Sequence, residues 1–84
     1  MKNKVLYPVI AKEYNDDGHY FVVTSPNVQG MIVEGDTLEE AIEEATFDIA
    51  DWFKVKGKIE KVADPLKWHL EKDEKLVYVP VNLT

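Results

Sequence analysis

The chain has 84 residues, enough for one domain around one core and too few for two. With 45% hydrophobic and 31% charged residues its composition is globular rather than disordered, and the lack of cysteine excludes disulfides, thiolate metal sites and cysteine nucleophiles. Ten Lys and Arg against sixteen Asp and Glu give a net charge of -6, which disfavours phosphate backbones and favours a basic protein partner.

A domain this small buries only about 60 to 65% of the surface its unfolded chain exposes, so support from a partner or from a homodimer or higher homo-oligomer is expected. No apolar run approaches the ~20 residues of a membrane span, and Met1-Lys2-Asn3-Lys4-Val5 lacks the apolar stretch of a signal peptide. A cytoplasmic location without membrane contact is the expectation.

Residues Val5 to Ala11 form an apolar, β-branched run. The polar cluster Asn15-Asp16-Asp17-Gly18 follows, then a second run, Tyr20-Phe21-Val22-Val23. That is a hairpin pattern, because Gly takes the positive φ of a tight turn and Asn and Asp side chains bond its backbone. Ser25-Pro26-Asn27-Val28-Gln29-Gly30 reads as a loop before a third short strand, Met31-Ile32-Val33.

Gly35-Asp36-Thr37 breaks the strand pattern and opens a helix. Either Asp36 or Thr37 serves as N-cap, with Glu39 or Glu40 three residues on to complete a capping box. From Leu38 the apolar residues Ala41, Ile42, Ala45, Ile49, Trp52 and Phe53 follow helical spacing for more than four turns. Glu39, Glu40, Glu43 and Glu44 complement the positive end of the helix dipole, and Gly57 offers a stop.

Asp64-Pro65 resembles an N-cap followed by a first-turn proline, so Pro65 to Leu70 suits a short second helix. Leu76 to Leu83 alternates Val77, Val79, Val81 and Leu83 against Tyr78, Pro80 and Asn82, the pattern of a last strand with one face in the core. The whole is a single domain over 1–84, α+β in class. Its order is β-β-β-α-β, with the long helix packed on one face of a four-stranded sheet. The connection into the last strand is compatible with a parallel pairing to the first. Pro8 and Pro80 each lack a ladder donor and should lie where their strands are unpaired on that side.

Chemistry is sparse. The carboxylates fall mostly on one helix face or in turns, with only Glu13 and Glu34 near strand ends, which describes a solvated acidic face better than a metal site. His19 and His69 are far apart without a second ligand at purposeful spacing, and Ser25 has neither a nucleophile elbow nor a neighbouring base. Glycines 18, 30, 35 and 57 are dispersed and make no phosphate loop. Lysines 54, 56, 58 and 61 are explained by the C-terminal end of the helix dipole. No cofactor, metal or catalysis is expected.

One residue breaks the helix pattern. Turning about 100° per residue from Leu38 places Phe47 opposite the apolar stripe, close to Glu40 and Asp51 and flanked by Glu43 and Glu44. Either the 58–73 segment or a second copy covers this ring, or it anchors a heterologous partner whose basic surface meets the acidic rim. The candidate partner-binding residues are therefore Phe47, Glu40, Glu43, Glu44 and Asp51.

Over nearly its whole length the sequence resembles the HicB-like antitoxin family of type II toxin-antitoxin systems. The matching pieces are Tyr7-Pro8-Val9-Ile10, Asp16-Asp17-Gly18-His19-Tyr20, Ser25-Pro26-Asn27-Val28-Gln29-Gly30, Glu34-Gly35-Asp36-Thr37-Leu38-Glu39-Glu40-Ala41 and Val77-Tyr78-Val79-Pro80-Val81. Their order and spacing together carry the likeness. The resemblance implies a partial RNase H-like fold without nuclease carboxylates, and a protein that neutralises HicA-like toxins by covering their RNA-binding surface. Those toxins are small basic ribonucleases that cleave mRNA.

Many members continue into a ribbon-helix-helix or helix-turn-helix domain that binds operator DNA. This sequence stops at Thr84 without one, so direct nucleic-acid binding by this chain alone is not expected. Two other readings compete: an oligomeric scaffold or regulator that has lost its toxin, and a residual nuclease.

Overall fold

The computed structural model of the chain describes residues 4–15, 17–28, 30–56 and 65–82. Its elements run β1 (Lys4–Tyr14), β2 (Tyr20–Thr24), β3 (Ile32–Gly35), α1 (Leu38–Lys56), a 3-10 turn (Pro65–Lys67) and β4 (Glu74–Asn82). They form a four-stranded antiparallel sheet, ordered β3-β2-β1-β4, with α1 against one face, an α+β architecture.

The first hairpin closes where the polar cluster predicts. Tyr14 pairs with Tyr20, their rings stack 5.1 Å apart, and Gly18 takes a φ of 109° between them. Asp16 and Gln29 lie outside the described residues. β1 continues three residues past the apolar run, through Lys12 and Glu13, because both flanking strands pair there: Lys12 faces Val22 on one side and Glu74 on the other.

The last strand runs antiparallel to β1, from Lys12 opposite Glu74 to Lys4 opposite Asn82, and not parallel to it. The direction of this pairing is not encoded in the alternation of β4, which reads the same either way. The proposed second helix shrinks to one 3-10 turn, closed by the Trp68 amide donating to the Pro65 carbonyl at 3.1 Å. The suggested Asp64 cap, the Gly57 stop, Lys58, Lys61 and Leu83 lie outside the described residues.

Both strand prolines sit where a missing donor costs nothing. The Ser25 hydroxyl donates to the Pro8 carbonyl at 3.1 Å, so the backbone polar side of Pro8 faces β2. There the β1–β2 ladder has already ended at the Ile10–Thr24 pair. The Glu13 amide donates to the Asp73 carbonyl, so the odd residues of β1 bond toward β4 and Val77, Val79 and Val81 bond back. Pro80, out of phase with them, points its missing N–H to the free edge of the sheet, where proline discourages strand addition.

The core lies between sheet and helix. Tyr7, Val9, Ala11, Val23, Val33, Val79 and Val81 rise from the strands to meet Ala41, Ala45, Ile49 and Phe53. These are the odd strand residues and one helical stripe, and each large side chain so buried is worth about 1.5–3 kcal/mol. Tyr7 and Phe53 meet edge to face at 5.2 Å. The helix packs closest where its residues are small: a Cβ on Gly35 would come within 2.9 Å of Glu40 and nearer still to the Ala41 amide nitrogen.

Candidate functional site

Thr37 is the N-cap of α1. Its hydroxyl accepts the Glu40 amide at 3.1 Å, and Glu40 Oε2 accepts the Asp36 amide at 3.3 Å, one residue further back than in a capping box. The cap fixes where the helix starts and so which residues face outward. Ala41, Ala45, Ile49 and Phe53 point down into the core. Glu40, Glu43, Glu44, Phe47 and Asp51 all point to solvent.

Phe47 is 60% exposed. Its neighbours one turn away on the helix surface are Glu43, Glu44, Ala50 and Asp51, with Cβ atoms about 5–6 Å apart by helix geometry. Among the described residues none of Glu40, Glu43, Glu44 and Asp51 is in an ion pair, so no described side chain supplies a counter-charge to the negative field around the ring. The sequence reading grouped these five residues, and the structure brings them onto one face. Glu40 also serves the cap, a role the sequence left open between two pairs of residues.

Two hollows flank this face. One, of about 440 Å³, runs between β3 and α1 and is lined by Ile32, Val33, Glu34, Glu40, Glu43 and Glu44. The other, of about 300 Å³, has an apolar floor of Val28, Met31, Trp52 and Val55, with Asp48 and Asp51 beside it. Ile32 and Glu34 were missed by the sequence reading, because their place beside the helix depends on β3 being an edge strand. Alternation about the buried Val33 does put both on the opposite side of the strand, a signal in the sequence that exposes them without locating them.

The four carboxylates of the first hollow are spread along it. Among the described residues no group of three His, Asp or Glu side chains is placed to hold a metal ion. Spread carboxylates beside apolar surface suit several cationic side chains rather than one compact ion.

Elsewhere, His19 Nε2 lies 2.6 Å from Glu13 Oε2 across the hairpin, and its ring meets Phe21 edge to face at 5.0 Å. This pair holds the Glu13 carboxyl below its ordinary range, chiefly through the hydrogen bond from His19; partial burial opposes the shift, and the His19 charge, Asn15 and Lys75 add to it. The sequence reading took His19 as isolated, because Glu13 and His19 become neighbours only when the hairpin closes. His69 is exposed, and Ser25 is buried, its hydroxyl donating to the Pro8 carbonyl and accepting from the Asn27 amide. Among the described residues no helix is long and apolar enough to cross a membrane. No family model matches the chain, and no curated protein matches it at a significant level.

Proposed function

We propose that this protein is a HicB-like antitoxin, which binds a basic HicA-like ribonuclease toxin through the outer face of α1 and blocks its access to mRNA. The partial RNase H-like assignment, the cytoplasmic location and the absence of catalysis belong to the same proposal and rest on the sequence resemblance. The observation that carries the binding surface is Phe47, a large ring 60% exposed amid carboxylates that pair with no cation among the described residues. Interfaces gain most from such central aromatic anchors, while surrounding charges steer a partner of opposite sign and exclude wrong ones.

The flanking hollows extend this surface. The apolar floor formed by Val28, Met31, Trp52 and Val55, with Asp48 and Asp51 beside it, suits a lysine or arginine that lays down its aliphatic stem and leaves its charge at the rim. The carboxylates along β3 and α1 suit further basic groups. A net charge of -6 gives the long-range attraction that brings a basic toxin in quickly.

Co-expression with the product of the adjacent reading frame tests the proposal. A short, basic, histidine-containing product that arrests growth alone, and is tolerated and co-purified when this chain is present, supports it. A neighbour's product that neither harms growth nor binds the chain contradicts it.

A further inference from the structure

The two edges of the sheet are not alike. In an antiparallel sheet each residue turns its N–H and C=O to one neighbouring strand, and successive residues alternate. The Glu13 amide donates to the Asp73 carbonyl, so the even residues of β1 bond to β2, and Phe21 and Val23 of β2 bond to Gly35 and Val33 of β3. Ile32 and Glu34 therefore turn their N–H and C=O groups to the free edge of β3, where no group among the described residues bonds them. On the β4 edge Pro80 removes a donor, whereas the β3 edge keeps both of its own.

We infer that the β3 edge takes an extended, basic segment of a partner protein as a fifth strand. Strand addition satisfies the open main-chain groups, and the alternate side chains of the incoming segment decide which segment is accepted. The edge borders the hollow between β3 and α1, so a strand added about 4.8 Å beyond β3 lies along Glu40, Glu43 and Glu44. Val33 and Gly35 face the helix, so in antiparallel register the residues opposite them turn toward those carboxylates, which favour lysine or arginine. The residue opposite Glu34 also meets a carboxylate. The one opposite Ile32 meets an apolar side chain that is 67% exposed.

Charge selects this occupant. Among the described residues none of Glu34, Glu40, Glu43 and Glu44 is in an ion pair. A second copy pairing β3 with β3 would bring the carboxylates lining its own hollow against those of the first, which like-charge repulsion opposes. Edge strands resist unwanted pairing by being short and charged, and here the charge has one sign, so it repels acidic strands and admits basic ones. The inference rests on the binding reading of this side of the molecule, and adds that the partner is held by its backbone as well as by its side chains. Glu43 and Glu44 line the hollow and also flank Phe47, so the added strand and the aromatic anchor share one continuous surface.

Nuclear magnetic resonance of the isotope-labelled full chain tests it with a synthetic peptide, acetyl-Lys-Lys-Lys-Val-Lys-amide, whose valine sits opposite Ile32 in antiparallel register. The β3 amide signals are expected to shift with a dissociation constant of about 1 mM or tighter. Near saturation, solvent exchange of the Ile32 and Glu34 amides is expected to slow at least about fivefold, while that of Val33, already paired with Val23, stays unchanged. Ile32→Pro removes an edge donor and no ladder bond, and should weaken binding at least about tenfold, with Ile32→Val binding as wild type does. The exchange measurement is made on wild type, so it decides the matter even where Ile32→Pro does not fold. Absence of binding overturns the inference, as does equal binding of the same peptide with glutamate in place of lysine, or binding that leaves Ile32 and Glu34 exchange unchanged. The co-expression test decides the antitoxin reading separately: a toxin held by α1 while these two amides stay open overturns this inference alone.

Discussion

Phe47 and Ile49 are two residues apart on α1 and lie on opposite sides of it: Ile49 is fully buried against the sheet, while Phe47 is 60% exposed. A rotation of about 200° separates them, so one serves the fold and the other is free to serve a partner. Ile49→Ala is expected to cost about 2–5 kcal/mol of stability, whereas Phe47→Ala should leave it within about 0.5 kcal/mol. Urea unfolding of the two variants measures the contrast. A large loss at Phe47 would mean the ring is covered within its own chain.

The cap at Thr37 is expected to contribute measurably because it orders the turn where α1 leaves β3. Thr37→Ala should destabilise the protein by about 1 kcal/mol, and Thr37→Asp should retain most of the stability. Thermal unfolding at neutral pH reads both.

Gly35 is required for space rather than for backbone freedom. Its missing Cβ leaves room for the Glu40 and Ala41 backbone, which cannot retreat without unseating the helix. Gly35→Ala is expected to cost about 1–3 kcal/mol, and Gly35→Val more. Chemical denaturation should show the loss without a change in m-value.

The Glu13–His19 contact predicts an acid-side effect. Glu13 has a folded pKa below its ordinary 4.5, so the carboxylate's contribution is present above that value and disappears as pH falls through the lowered folded pKa. In Glu13→Gln the melting temperature should therefore decline less on acidification below pH 4.5 than in wild type. The group is on the surface, so the difference should be small and shrink with added salt. Equal acid sensitivity in both proteins would remove the contact from the account.

The helix was legible to within a turn, because Leu38 to Phe53 keeps one apolar stripe long enough to outvote local ambiguity. Phe47 stood out for the same reason, as a large aromatic side chain on the wrong side of the stripe. The direction of β4 was not legible: Val77, Val79 and Val81 alternate identically in either direction, and the antiparallel register with β1 appears only in the fold. Lys12 and Glu13 look like loop residues until two strands are seen to flank them. Ile32 and Glu34 could be assigned to a face but not to a groove, since strand order comes from long-range pairing. Leu6, Ile10, Val22 and Ile32 were read within short apolar runs, and that they share one outward face emerged only when the register put them together.

The account stands on the claim that the outer face of α1 holds a basic toxin. Isothermal titration of the purified chain against a HicA-like toxin, made catalytically inactive so that it can be produced, tests it most directly. Wild type should bind tightly, Phe47→Ala should lower the affinity at least 30-fold, and Glu44→Lys should mainly slow association and weaken its salt dependence. Tight binding that both substitutions leave untouched would contradict the claim.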